Sequence, residues 1–71
     1  MVVVNGNRIR KLREEREMSQ AELAETAGAS QAMIAHVEAG KKQPGVAVLK
    51  LIADSFGVQM EELLMGEGQT L

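Results

Sequence analysis

The strongest constraint on this chain is the punctuation between residues 19 and 40. In "SQAELAETAGAS", Ser19 and Glu22 have the spacing of a capping box, which starts a helix at Gln20. Leu23, Ala24 and Ala27 give that helix an inward face, and Gly28 ends it. After the tight turn "GAS", Ser30 caps a further helix, which Gly40 stops. The chain must therefore place two short helices, 20–27 and 30–38, on either side of a short glycine-containing turn. Two helices so joined form a helix-turn-helix.

The flanking sequence supplies support for that pair. Ile9 and Leu12 lie at i, i+3 in a charged run and predict an amphipathic helix from about 6 to 16, capped by Asn5 or Asn7. "KKQPG" reads as a loop. Leu49, Ile52, Ala53 and Phe56 predict a fourth helix with Gly57 just past its end, and Met60, Leu63 and Leu64 a short fifth. Residues 66–71 read as a frayed tail. Val2, Val3 and Val4 have strand propensity, but no obvious partner for them stands in the chain. The expected architecture is all-α, a single domain over residues 1–71 with four to five short helices and an ordered core of about 6–65.

Helix 30–38 carries a puzzle. With Ile34 and Val37 inward, helical geometry turns Ala32, Ala35, His36 and Ala39 outward, with Gln31 and Met33 on the flanks. Glu38 then points inward, close to Ile34. The outer face is short and apolar, and a carboxylate faces the core. A buried carboxylate is costly unless paired, and Arg13, beside Leu12 on the first helix, is within reach. The competing partner for Arg13 is Glu17, at i+4 on the surface.

Composition excludes several classes. With no cysteine and one histidine among 71 residues, the chain offers neither a disulfide nor a zinc site. One Phe, no Trp and no Tyr leave no stacking platform for bases. No cluster of acid, base and nucleophile suggests an enzyme, and no cofactor is expected. "MVVV" is too short for a signal peptide or membrane span, and the lack of cysteine fits a reducing cytoplasm. The net charge of −2 hides a division. Residues 1–50 hold eight bases against six acids, whereas residues 51–71 hold four acids and no base.

The ordered set "IRKLREE", "SQAELAETAGAS", "IAHVEAGKKQP" and "LKLIADSFGV…EELL" resembles the XRE family, the Cro and lambda-repressor type of helix-turn-helix regulator. The resemblance spans about residues 6–65 and includes both flanking helices and the Gly-Lys-x-x-Pro loop. It implies a lambda-repressor-like DNA-binding domain, with an arginine–glutamate pair at the positions of Arg13 and Glu38. It also implies a DNA-backbone contact by the glutamine at Gln20.

In helix-turn-helix proteins the second helix of the motif enters the major groove, and its N-terminal residues meet base edges. Here these are Gln31, Ala32, Met33 and, one turn on, His36. Glutamine pairs bidentately with adenine, and alanine meets the thymine methyl, as Met33 does by extension. His36 is expected to donate to a guanine acceptor or a phosphate. The plainer readings are alanines as mere helix formers and a solvated His36. Ser19 and Gln20, at a helix N-terminus that favours anions, and Lys41 and Lys42, in the following loop, are the phosphate candidates. A solvated lysine loop is the competing reading. Arg8, Arg10, Lys11 and Arg16 are spread round the first helix, so only some face DNA.

The function expected is a sequence-specific DNA-binding transcriptional regulator, a repressor, reading a palindromic double-stranded operator with helix 30–38. The alternative is a protein-interaction module, an antitoxin or anti-regulator that uses the same fold to bind a partner protein. The apolar outer face and acidic net balance give that alternative some support. Val48, Leu51, Leu64 and Met65 are expected to form a homodimer interface, with a strand of valines 2–4 across the two-fold as a second choice. The plainer reading has Leu51 and Leu64 completing a small core.

Overall fold

A computed structural model describes residues 3–65 of the chain. A short strand β1 (Val3–Val4) leads into α1 (Gly6–Glu15), α2 (Gln20–Ala27), α3 (Gln31–Glu38) and α4 (Val46–Phe56). A 3-10 turn (Met60–Leu63) and a strand β2 (Leu64–Met65) follow. The frayed tail expected at 66–71 lies outside the described residues.

Local chemistry accounts for the helix ends. Asn5, not Asn7, caps α1, its side chain accepting from the Arg8 N–H. The capping box at α2 is complete. Ser19 Oγ accepts from the Glu22 N–H at 3.0 Å, and Glu22 Oε1 accepts from the Ser19 N–H at 2.8 Å. Gly28 closes α2 in the left-handed region at φ +66°, a conformation that side-chain-bearing residues rarely adopt. This lets the chain turn sharply into α3, whose first-turn Met33 N–H donates to Ser30 Oγ.

The inward faces meet in one core. Ile9 and Leu12 of α1, Leu23, Ala24 and Ala27 of α2, and Ile34 and Val37 of α3 join Leu49, Ile52, Ala53 and Phe56 of α4, with Leu63 closing the base. Each fully buried aliphatic side chain contributes about 1.5–3 kcal/mol of transfer free energy. The small residues Ala24 and Ala27 let α2 lie close to its neighbours.

Two sequence expectations change. Val3 and Val4 have a partner: β1 pairs antiparallel with β2, Val3 opposite Met65 and Val4 opposite Leu64. The ordered part therefore begins at least as early as Val3, ahead of the expected start near residue 6. Pairing within the chain takes up one edge of Val3–Val4. The cause is topological. Leu63 is fully buried, and its carbonyl accepts from the Asn5 N–H at 2.7 Å, which brings the segment after it alongside the N-terminus.

Candidate nucleic-acid interface

Two side chains of α3 are driven inward by burial, Ile34 and Val37, and they fix its rotation. Gln31, Ala32, His36 and Ala39 are consequently exposed, while Ala35 is half-buried. Met33 is placed differently from the other expected readers. It is half-buried and packs against the core, because one flank of α3 overhangs the apolar interior.

The inward carboxylate is paired. Arg13 Nε donates to Glu38 Oε2 at 2.7 Å and Arg13 Nη2 to Glu38 Oε1 at 3.1 Å. This two-pronged geometry suits a planar guanidinium. The side chains are 11% and 4% exposed. Arg13 Nη1 also donates to the Met18 carbonyl at 2.7 Å. The hydrogen bond to Glu38 holds the Arg13 pKa above its ordinary value. Burial works against this, and the negative charges of Glu38 and Glu14 add to it. Among the described residues, no buried side-chain nitrogen or oxygen lacks a hydrogen-bond partner.

Gln20 completes the cluster, its Nε2 donating to Glu38 Oε1 at 3.1 Å. The side chain expected to reach a phosphate is thus turned onto the ion pair, because Glu38 presents a free lone pair beside the start of α2. Ser19 stays exposed at the helix N-terminus. Lys41 and Lys42 are exposed, and both of their backbone N–H groups donate to the His36 carbonyl, at 2.8 and 3.3 Å. The loop thereby leaves directly from the end of the outward face.

Of the basic residues on α1, Arg10 lines a cleft of roughly 310 Å³ with Gln20, Ala35 and Ala39, beside the outer face of α3. Arg16 faces elsewhere: its guanidinium donates to the Leu12 and Phe56 carbonyls and lies 5.2 Å from the centroid of the Phe56 ring. Arg8 is directed to Glu62 at 3.9 Å.

Gly6 is a positioning residue that sequence reasoning missed. A Cβ there would sit 2.3 Å from the Val37 carbonyl oxygen, so the start of α1 abuts the end of α3. A glycine between two asparagines at a helix start was the available signal. On α4, Leu51 is 43% exposed and Val46 73% exposed, and Met65 of β2 is 43% exposed. Val48 and Leu64, expected at the dimer surface, are half-buried and packed on the core.

Two short helices, α2 and α3, joined by the tight turn at Gly28, with the outer face of α3 open and a basic loop at its end, define a helix-turn-helix domain. The chain belongs to the helix-turn-helix family HTH_3, which it matches over residues 9–63. It is 35% identical over 69 residues to the immunity repressor protein of Bacillus phage phi105, covering 90% of this chain and 48% of the relative. The chain thus spans about half the length of that curated relative. The fold is similar to the P22 c2 repressor in complex with synthetic operator 9T, at 27% identity and a TM-score of 0.82, over 87% of this chain and 94% of that one. It is also similar to a chain of the SinR–SinI protein complex, at 30% identity and a TM-score of 0.80, over 93% of this chain and 65% of that one.

Proposed function

We propose that this domain is a sequence-specific DNA-binding transcriptional regulator acting as a repressor, with α3 in the major groove. The observation that carries the reading is the fixing of α3. The Arg13–Glu38 pair and the close approach at Gly6 set its inner side, leaving Gln31, Ala32 and His36 presented together. Gln31 suits adenine, Ala32 the thymine methyl and His36 a guanine acceptor or a phosphate. Met33 stands at the flank of this face. Ser19, Lys41 and Lys42 frame it for the DNA backbone, with Arg10 beside the cleft, and Gln20 acts from its place on Glu38. The relatives' printed names, an immunity repressor and a repressor bound to an operator, support the same class. The role is non-enzymatic and is exercised in the cytoplasm. Among the described residues no helix is long and apolar enough to cross a membrane.

One recognition helix covers few base pairs, and helix-turn-helix dimers read half-sites about one helical turn, ~34–36 Å, apart. A homodimer on a palindromic operator therefore belongs to this reading, with Leu51 and Met65 exposed and Val48 and Leu64 half-buried on the core.

The test is site selection from a random-sequence duplex pool, followed by substitution. Gln31→Ala is expected to lose about 1–3 kcal/mol and relax preference at one base pair. Lys42→Ala is expected to weaken all sequences alike and reduce the salt slope by about 1. Equal weakening of every sequence by both variants removes Gln31 from the readers. Binding that does not respond to salt rejects DNA as the partner.

A further inference from the structure

Lys41 and Lys42 stand in the loop between α3 and α4, and their amides tie only its start, to the His36 carbonyl. Farther along the loop, a side chain makes a tie. Gln43 Oε1 accepts from the Val4 N–H at 2.9 Å, across from the N-terminal strand. That N–H is turned away from β2, while the next one, of Asn5, faces back to the Leu63 carbonyl at 2.7 Å. The two-stranded ribbon thus offers its outer edge, and an amide from the basic loop occupies it. Asn5, at the end of the ribbon, also caps α1. The loop is therefore referenced to the strand that runs through Asn5 into Gly6, and Gly6 abuts the end of α3.

We propose that Gln43 is a positioning residue for DNA-backbone binding: its bond to Val4 registers the Lys41–Lys42 loop against β1. The proposal rests on the reading of these lysines as phosphate contacts. A lysine loop without this tie has more conformations to lose on binding, and that loss weakens every sequence equally. The contact is exposed and neutral, so its effect is modest, but it acts on the charged residues that set the salt dependence.

Phosphate contacts are independent of sequence, so a short mixed-sequence duplex serves as probe with the full chain, titrated across salt. Gln43→Ala removes the acceptor. Val4→Pro removes the donor and leaves Gln43 in place, at an edge position where proline is tolerated. Each variant is expected to weaken binding about two- to tenfold and flatten the salt dependence. The double variant is expected to be no worse than either single one. Amide exchange at Val4 in the free protein is expected to speed up in Gln43→Ala with the rest of the fold unchanged. Wild-type affinity in Gln43→Ala overturns the proposal. So do additive losses in the double variant, which mean that Gln43 touches DNA itself. Should Val4→Pro fail to fold by circular dichroism, Gln43→Ala decides alone: binding loss together with faster Val4 exchange sustains the proposal, and either one without the other overturns it. A control, Lys41→Ala with Lys42→Ala, separates the two levels. If it keeps wild-type affinity and slope, the phosphate reading falls and the positioning role with it. If it weakens binding while Gln43→Ala does not, only the positioning role falls.

Discussion

Single side chains with strict geometric demands set the position of α3. Glu38→Ala leaves the Arg13 charge, 11% exposed, without its two-pronged partner. Loss of one member of a buried pair costs about 3–5 kcal/mol. Glu25→Ala, on the exposed side of α2, is expected to stay within about ±0.5 kcal/mol. Chemical denaturation measures both. Replacing Arg13 and Glu38 together is expected to recover part of the loss, and additive losses reject a coupled pair. Glu17 is a second case: it joins α1 to α2 at φ +55°, the only side-chain-bearing described residue at positive φ. Relief of that strain makes Glu17→Gly stabilising by about 0.5–1 kcal/mol, read as a raised thermal midpoint. A lowered midpoint rejects the strain. Gly6→Ala acts the other way, since its Cβ meets backbone rather than a movable side chain. A loss of about 1–3 kcal/mol is expected, together with weakened DNA binding as α3 is displaced.

Among the elements, α3 depends most on its ends. It has eight residues, too few to be stable alone, so caps and packing hold it. Ser30→Ala removes the acceptor for the Met33 N–H and is expected to cost about 1 kcal/mol. Because that cap lies next to Gln31, the same variant is expected to reduce discrimination between operator and mixed-sequence DNA. Ser19→Ala, at the corresponding place on α2, is expected to cost a similar amount of stability without altering base preference. Parallel titrations on the two duplexes distinguish these outcomes. The β1–β2 ribbon is the other element with consequences beyond its size, since it joins the two ends of the described residues and its Val4 N–H donates to the Gln43 side chain of the basic loop.

For the whole molecule, charge is unevenly spread along the sequence. The bases that frame α3 belong to the first fifty residues, and the remainder is acidic. The exposed Leu51 and Met65 lie in that second part, on α4 and β2. Leu51→Glu is expected to shift sedimentation toward the monomer and to lower affinity for a palindromic site more than for a single half-site, with the fold retained. Leu51 is the better probe because its side chain is more exposed than that of Leu64, which supports the core. A one-to-one complex on a two-half-site duplex, unchanged by the substitution, rejects the dimer.

What the sequence determined by itself was the set of local structures. The capping box at Ser19 and Glu22, the stop at Gly28, the cap at Ser30 and the inward stripe of α4 all depend on residues three or four positions apart, and the helix fixes those relations. The inward direction of Glu38 was legible for the same reason, since Ile34 and Val37 set the rotation of α3. Its partner was not fixed by spacing alone, because Glu17 offered Arg13 a local alternative. Tertiary structure decided the remainder: the pairing of Val3–Val4 with Leu64–Met65, the turning of Gln20 onto Glu38, the engagement of Arg16 with the Phe56 carbonyl, and the tie from Gln43 to Val4. Each joins groups distant in the chain, and each partner is a polar group left over after the helices have formed. Which leftovers meet depends on how four helices pack round one core, and no local pattern carries that information.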